Sequence, residues 1–324
     1  MKRSDAMMTL QRRDILRAIA SAAALPALPR AASALDYPTR PVHLISGYAA
    51  GGVVDIVARL IGAQLSERLG QTFIVEDRPG VGSNLATELV ARAAPDGYSL
   101  LLSTLYDRLN FDFIRDMAPV ATITHSLNVM EVHPSVPAKT VPEFIAYAKA
   151  NPGKINMASA GQGSSPHLYG ELFKIMTGID LVTVQYRGGG PALPDLLAGQ
   201  CQVMFDSIVS SIAHIRAGRL RPLAVTSANR ASVLPDVPAV AEFVPGYEGT
   251  GWQGISAPKN TPVEVVEKLN QAVNAALATP DFTARLKDLG AEPFVSSPGE
   301  FARFNADYTE KWAKVIRAAN IRAE

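Results

Sequence analysis

The sequence predicts an α/β protein with largely parallel sheets. Past Ala34, short apolar runs alternate with segments of helical periodicity. Four times the junction between run and helix is a glycine-rich turn, which is the repeated grammar of strand, turn and helix. The chain has 324 residues, 48% of them hydrophobic, enough for one large core or two ordinary ones.

In chain order, Arg12, Arg13 and Arg17 lead into the apolar run from Ala18 to Leu28 and then Ala32-Ser33-Ala34. That charged, apolar and small-residue order is a secretory signal peptide, with cleavage expected after Ala34. Arg12-Arg13 also resembles a twin-arginine signal, with Gln11 where Ser or Thr is usual, so general secretion and twin-arginine export both stay open. No later stretch reaches the roughly 20 apolar residues of a membrane helix, and the mature chain is expected not to insert in the bilayer.

Val42 to Ser46 read as a strand, Gly47 to Gly52 as a turn, and Val53 to Leu69 as a helix with Val53, Ile56, Val57, Leu60, Ile61 and Leu65 on one face. Gly70 supplies its stop. A second unit runs from strand Phe73–Glu76 through Arg78 to Asn84 into a helix ending near Ala94, then through Pro95-Asp96-Gly97 into strand Tyr98–Ser103. The third starts with strand Asn156–Ser159, turns at Gly161-Gln162-Gly163-Ser164, and opens a helix with Ser165 as N-cap and Pro166 at the first position. A fourth joins strand Leu181–Tyr186 through Gly188-Gly189-Gly190 to a helix opened by Pro191 and stopped at Gly199. Strand Gln202–Asp206, a helix stopped by Gly218 and strand Leu223–Thr226 follow. Thr261-Pro262 and Ser297-Pro298 open helices on either side of one from Pro280 to Leu289. Chain crossings are placed around Leu127 to Val132 and near Trp252 to Ser256. Domain 1 is then 35–124 plus 253–324, and domain 2 is 125–252.

Several chemistries are poorly served. Without residues 1–34 the chain keeps 25 Lys and Arg against 28 Asp and Glu, a net charge of −3, so a basic nucleic-acid footprint is absent. Cys201 is the single cysteine; its apolar neighbours Val203, Met204 and Phe205 suit a buried, inert thiol, and no intramolecular disulfide can form. His43, His125, His133, His167 and His214 have no metal-ligand spacing, so no metal and no cofactor are expected. His167 beside Ser164 lacks a nucleophile elbow and an orienting third group, and its expected role is hydrogen bonding within the fold.

The glycine turns point to an anion. A turn entering a helix exposes amides without intrahelical partners at the positive end of the dipole. Gly80-Val81-Gly82-Ser83-Asn84-Leu85 and Gly161-Gln162-Gly163-Ser164-Ser165-Pro166 both miss the last glycine of a dinucleotide fingerprint, and neither carries the Gly-Lys-Ser/Thr of a phosphate loop. A carboxylate needs only two or three such donors and no arginine. Asp55 is read as bracing the first loop, since direct contact would repel a carboxylate. Asp206 is read either as an N-cap for the helix beginning near Ser207 or as a residue facing the ligand. Trp252 is read as a core, hinge or cleft aromatic.

The order and spacing of several segments resemble the tripartite tricarboxylate transporter substrate-binding (Bug, TctC-like) family. They are Gly51-Gly52-Val53-Val54-Asp55 with Ala58-Arg59, Glu76 to Asn84, Ala94-Pro95-Asp96-Gly97-Tyr98, Ser159 to Leu168, Tyr186 to Ala192, and Leu234-Pro235-Asp236-Val237-Pro238. The resemblance implies a two-domain periplasmic-binding-protein clamshell, type II-like, with the ligand cleft between the domains and no enzymatic activity. It implies a first binding loop of Tyr48, Ala50, Gly51 and Gly52, a second of Ser159, Gly161, Gly163, Ser164 and Ser165, and a carboxylate at Asp206 that meets the ligand amine in members binding amino acids. Asp55, Ser83 and Asn84 are supporting residues. Ligand and partners follow: a small mono- or dicarboxylate, membrane permease subunits, no nucleic acid, and a monomer in the periplasm. A periplasmic receptor for a sensor system closes by the same physics and is the alternative.

One departure from the family's pattern stands out. Thr104 runs straight into Leu105-Tyr106-Asp107, so about ten residues that border the ligand in the family are missing here, a loss loops tolerate when their ends are close.

Overall fold

Local signals and observed structure agree best at the start of the mature chain. In the computed structural model, which describes residues 36–80, 83–104 and 113–321, strand β1 is Val42–Ser46 and helix α1 is Val53–Leu69. The export segment, with its expected cleavage after Ala34, and the short stretch beyond Thr104 lie outside the described residues. Gly70 ends α1 in the left-handed conformation (φ 70°), where a side chain would be strained. The buried face of α1 is rotated by about one residue from the periodicity reading. Val54, Val57, Ala58, Ile61 and Leu65 are buried, while Val53, Ile56 and Leu60 pack at the rim of the same core. Each fully buried Leu or Ile contributes about 1.5–3 kcal/mol.

The strands form two sheets. In the first, β1 lies between β2 (Phe73–Asp77) and β3 (Ser99–Ser103), all parallel, with α2 (Asn84–Ala91) connecting β2 to β3. A short helix, α3 (Phe113–Asp116), leads into β4 (Met117–Ser126). The sheet order is β11-β4-β10-β3-β1-β2, where β10 is Gly251–Pro258 and β11 is Ala291–Pro293. The second sheet has the order β7-β6-β8-β5-β9. It is built from β5 (Asn128–Val132), β6 (Asn156–Ser159), β7 (Val182–Gln185), β8 (Val203–Ser207) and β9 (Arg221–Val225).

Both sheets are mixed, which corrects the expectation of largely parallel ones. The β1, β2, β3 set and the β6, β7, β8 set are parallel. β10 runs antiparallel to β3 and β4, β11 to β4, and β5 to both β8 and β9. The antiparallel partners are mostly the segments that pass between sheets without an intervening helix, so they need not obey the crossover rule. Leu127 alone separates β4 from β5, so the chain crosses there, and 132 is the end of a strand rather than of a crossing. The return enters through Gly249, whose amide donates to Thr226 O at 2.8 Å, and then β10.

Helices α4 (Val141–Ala150), α5 (Ser165–Thr177), α6 (Gly189–Leu197) and α7 (Ile208–Arg216) belong to the stretch that forms the second sheet. α8 (Val263–Leu277), α9 (Pro280–Asp288) and α10 (Pro298–Ala318) follow it. Three cap readings are corrected. Ser164 rather than Ser165 caps α5, placing Pro166 second in the helix; α6 starts at Gly189, two residues before Pro191; and Ser207, whose Oγ accepts the Val209 amide, caps α7 in place of Asp206. Ser297 and Glu300 close α10's start in a reciprocal capping box, as Ser297-Pro298 implied.

Helix α10 ties the halves together. Phe301, Tyr308 and Trp312 enter the aromatic cluster of Trp252 and Tyr169, and Tyr308 Oη donates to Thr250 O at 2.7 Å. Trp252 is 1% exposed and therefore a core aromatic.

Candidate functional site

Four helices begin at one place. A cleft is walled by the start of α1 (Tyr48, Gly52, Val53, Val54) and the start of α5 (Ala160, Ser164, Ser165, Pro166). Gly189 at the start of α6 and Asp206 with Ser207 at the start of α7 complete the helical wall. Thr104, Ser126, Asn128, Gly251 and Gln253 close the remaining side. First-turn amides have no intrahelical acceptor and each helix start carries about half a positive charge, so the arrangement suits an anion. Among the described residues its lining contains no Lys or Arg.

The first loop, 47–52, is fixed from within. Asp55, 5% exposed, accepts the Gly51 amide at 2.9 Å and pairs with Arg59 Nε at 2.6 Å, so it braces the loop from the helix's first turn. Gly47 has no room for a side chain: an added Cβ would sit 1.9 Å from Ser83 Oγ. Ser83, at φ 80°, precedes α2, whose first residue is Asn84. Ser83 thus packs against Gly47 of the loop, and Asn84 opens the helix that follows. Tyr48 and Gly52 reach the cleft, whereas Ala50 and Gly51 are exposed and do not line it.

The second loop is satisfied in the same way. His167 Nδ1 accepts the Gly163 amide at 2.7 Å, which puts the ring proton on Nε2, 3.8 Å from Glu171 Oε1. The Gly161 amide donates to Ser159 Oγ at 3.2 Å, and Ser164 Oγ donates to Gly161 O at 2.6 Å. Ser159 Oγ also donates to Gln185 Oε1 at 2.8 Å. Ser164 and Ser165 line the cleft, while Ser159, Gly161 and Gly163 build the turn behind them.

The two halves touch through backbone. Ala49 N–H donates to Arg187 O at 2.9 Å. Loop 188–190 lies against the first loop so closely that a Cβ on Gly190 would be 1.9 Å from Ala50 O, and one on Gly188 would be 2.9 Å from Ala49 N. These glycines permit close approach of two loops rather than tight turning alone.

Asp206 is 3% exposed and lines the cleft; its Oδ2 accepts from Ser210 Oγ at 2.7 Å and Ser211 Oγ at 2.9 Å. Burial raises its pKa, opposed by the two serine hydroxyls and the Ser207 amide. Among residues the sequence reading missed, Asn128 is 2% exposed, gives Nδ2 to Phe205 O at 3.2 Å, and keeps Oδ1 without a partner among the described residues. Gln253 Oε1 accepts from Thr124 at 2.6 Å and from Ser126. No local motif marks these residues; register alone brings them together, Gly251 opposite Ser126 and Asn128 opposite Ser207.

Cys201 is buried, 3.4 Å from Tyr186 Oη, and burial raises its thiol pKa, which disfavours the thiolate. Among the described residues no group of His, Cys, Asp and Glu is placed to hold a metal ion, and no helix is long and apolar enough to cross a membrane.

A family model described as tripartite tricarboxylate transporter family receptor matches residues 57–321. BugT of Bordetella pertussis is 33% identical over 296 residues, covering 88% of this chain and 91% of BugT. Among solved structures, Rpa4515 of R. palustris with adipate is 37% identical with a TM-score of 0.85, covering 88% of this chain and 99% of that one. MatC from Rhodopseudomonas palustris with bound malate is 34% identical with a TM-score of 0.83, covering 86% and 100%.

Proposed function

The chain belongs to the tripartite tricarboxylate transporter receptor family (Bug, TctC) and has the type II-like α/β clamshell fold of periplasmic binding proteins, and from that premise we propose that it captures a small mono- or dicarboxylate in the cleft between its halves. Members of this family are solute-binding receptors, not enzymes. The observation that carries the reading is the convergence of four helix starts on one cleft. Tyr48, Gly52, Ser164, Ser165 and Asp206 are the proposed ligand contacts. Ala50, Gly51, Ser159, Gly161 and Gly163 shape the two loops, and Asp55, Ser83 and Asn84 hold the first loop in place.

The proposal extends to the protein's working context. It is exported with its signal peptide cleaved after Ala34, acts as a periplasmic monomer, and delivers ligand to the membrane permease subunits of a tripartite tricarboxylate-type transporter. Residues 35–124 with 253–324 form one closing half and 125–252 the other, hinged where β4 passes into β5 and where the chain enters β10. The bound malate and adipate in similar receptors favour a carboxylate panel as the test. Calorimetry of the mature protein against succinate, malate, adipate and monocarboxylates should give saturable binding to at least one. Absence of binding to every member refutes the reading.

A further inference from the structure

Behind the cleft wall, Ser211 Oγ lies 2.7 Å from Glu131 Oε1 and 2.9 Å from Asp206 Oδ2. A serine hydroxyl has one proton, so it cannot donate to two carboxylates at once. One carboxyl must itself be protonated and donate to Ser211.

The surroundings of the two acids decide which. Asp206 has a further hydroxyl partner that Glu131 lacks, Ser210 Oγ at 2.7 Å, and it borders the cleft and sits at the start of α7, where negative charge is favoured. Glu131 is fully buried in the middle of β5, with Met204 and Pro222 beside it in register. Among the described residues its side chain bonds only to Ser211, and its Oε2 has no partner. The titratable group that acts on it is Asp206, an acid, and no cation among the described residues offsets it. Burial and the Asp206 charge both push Glu131 well above the carboxylate range.

The consequence reaches the ligand. Asn128 Oδ1, buried and unpartnered, stands on the same wall, since Asn128 pairs with Ser207 and Val129 with Asp206. With the proton on Glu131, the Asp206 carboxylate and Asn128 Oδ1 stand on that wall as acceptors. We propose that Glu131 is a neutral carboxylic acid and a positioning residue: it donates to Ser211, turns the Ser211 proton onto Asp206, and so keeps Asp206 an ionised acceptor that selects carboxylates bearing a hydroxyl or ammonium group over their unsubstituted analogues. This rests on the carboxylate-capture reading above for its ligand, but not for its proton.

Two measurements separate the parts. In the infrared spectrum at pH 8, wild-type protein labelled with carboxyl-13C glutamate should show a protonated-carboxyl band that is absent in Glu131→Gln. A missing band overturns the proposal whether or not any ligand binds. Succinate and malate, which differ by one hydroxyl, then test selection by calorimetry. Wild type should prefer malate, and Glu131→Gln, whose amide still donates to Ser211, should keep that preference. Ser211→Ala and Asp206→Asn should each reduce it by about tenfold, the worth of a hydrogen bond to a charged group. Loss of preference in Glu131→Gln, or its survival in Asp206→Asn, overturns the proposal.

Discussion

Gly190→Ala should separate closing from folding. Gly190 occupies the first turn of α6 with ordinary helical backbone, so alanine there raises intrinsic helix stability by up to about 1 kcal/mol. In the closed arrangement, however, the new Cβ would meet Ala50 O at 1.9 Å, far inside the 3.0 Å that real Cβ contacts respect. The halves must then part by about 1.1 Å, because both partners are packed backbone. That displacement stretches the Ala49 to Arg187 hydrogen bond from 2.9 Å to about 4 Å, beyond hydrogen-bond length. Losing that bond costs about 1 kcal/mol, and the thinned contacts between the loops add a similar amount. Together they amount to about 2 kcal/mol on the closed state, or about 30-fold weaker ligand binding.

The assay is calorimetry of the mature variant with whichever panel carboxylate binds wild type, beside thermal unfolding without ligand. The expected result is weaker binding by about that factor with an unfolding temperature equal to or above wild type. Gly299→Ala, also in a helix's first turn and with its nearest neighbour 4.0 Å away, controls for the general effect of the substitution. Gly188 is the poorer choice, since its φ of 136° would strain any side chain in either state. Unchanged affinity in Gly190→Ala would refute the idea that binding requires these loops to meet.

His167→Ala leaves the buried Gly163 amide without its acceptor and should cost about 1–3 kcal/mol in denaturant unfolding. Asp55→Asn keeps an acceptor for the Gly51 amide and loses only the pair with half-exposed Arg59, so it should cost under about 1 kcal/mol, while Asp55→Ala should cost about 1–3 kcal/mol. For Glu131 the folded-state pKa is raised, so its contribution is present below the unfolded value and is lost as pH rises. Urea unfolding should therefore show Glu131→Gln gaining on wild type from about pH 4.5 upward, and a difference independent of pH would contradict a buried neutral acid.

What the sequence reveals is what is encoded locally. Val42–Ser46, Val53–Leu69, the left-handed Gly70 and strand Asn156–Ser159 were legible residue by residue, because periodicity and glycine stops act within a few positions. Strands β4, β5 and β10 were not. Every residue of β5 and β10 is buried, so no alternation marks a face, and β4 finds its partner β10 only across the whole second half. Helix Val141–Ala150 carried a readable signal, Thr140 before Val141-Pro142-Glu143, that the strand-and-turn pattern overshadowed. The site divides likewise: its glycine loops announce themselves, but Asn128 and Gln253 enter it only through register.

The loops' own amides turn out to be poor candidates for holding the ligand. Those of Gly51, Gly161 and Gly163 are taken by Asp55, Ser159 and His167, and that of Ala49 by the opposite half. These bonds fix the turns so that four helix starts face one another without rearrangement, which lowers the ordering cost of binding. On the proposed reading, attraction for a carboxylate comes from several partial charges at the helix starts, each worth about 0.3–1 kcal/mol. A field of that kind is insensitive to what the carboxylate is attached to. Discrimination must come from groups that read the rest of the ligand, and two neighbouring polar side chains on β5 and β8, Asn128 and Asp206, hold the acceptors to do so. A receptor built this way can change its preferred solute by substitutions on β5 and β8 while its anion-binding frame stays untouched.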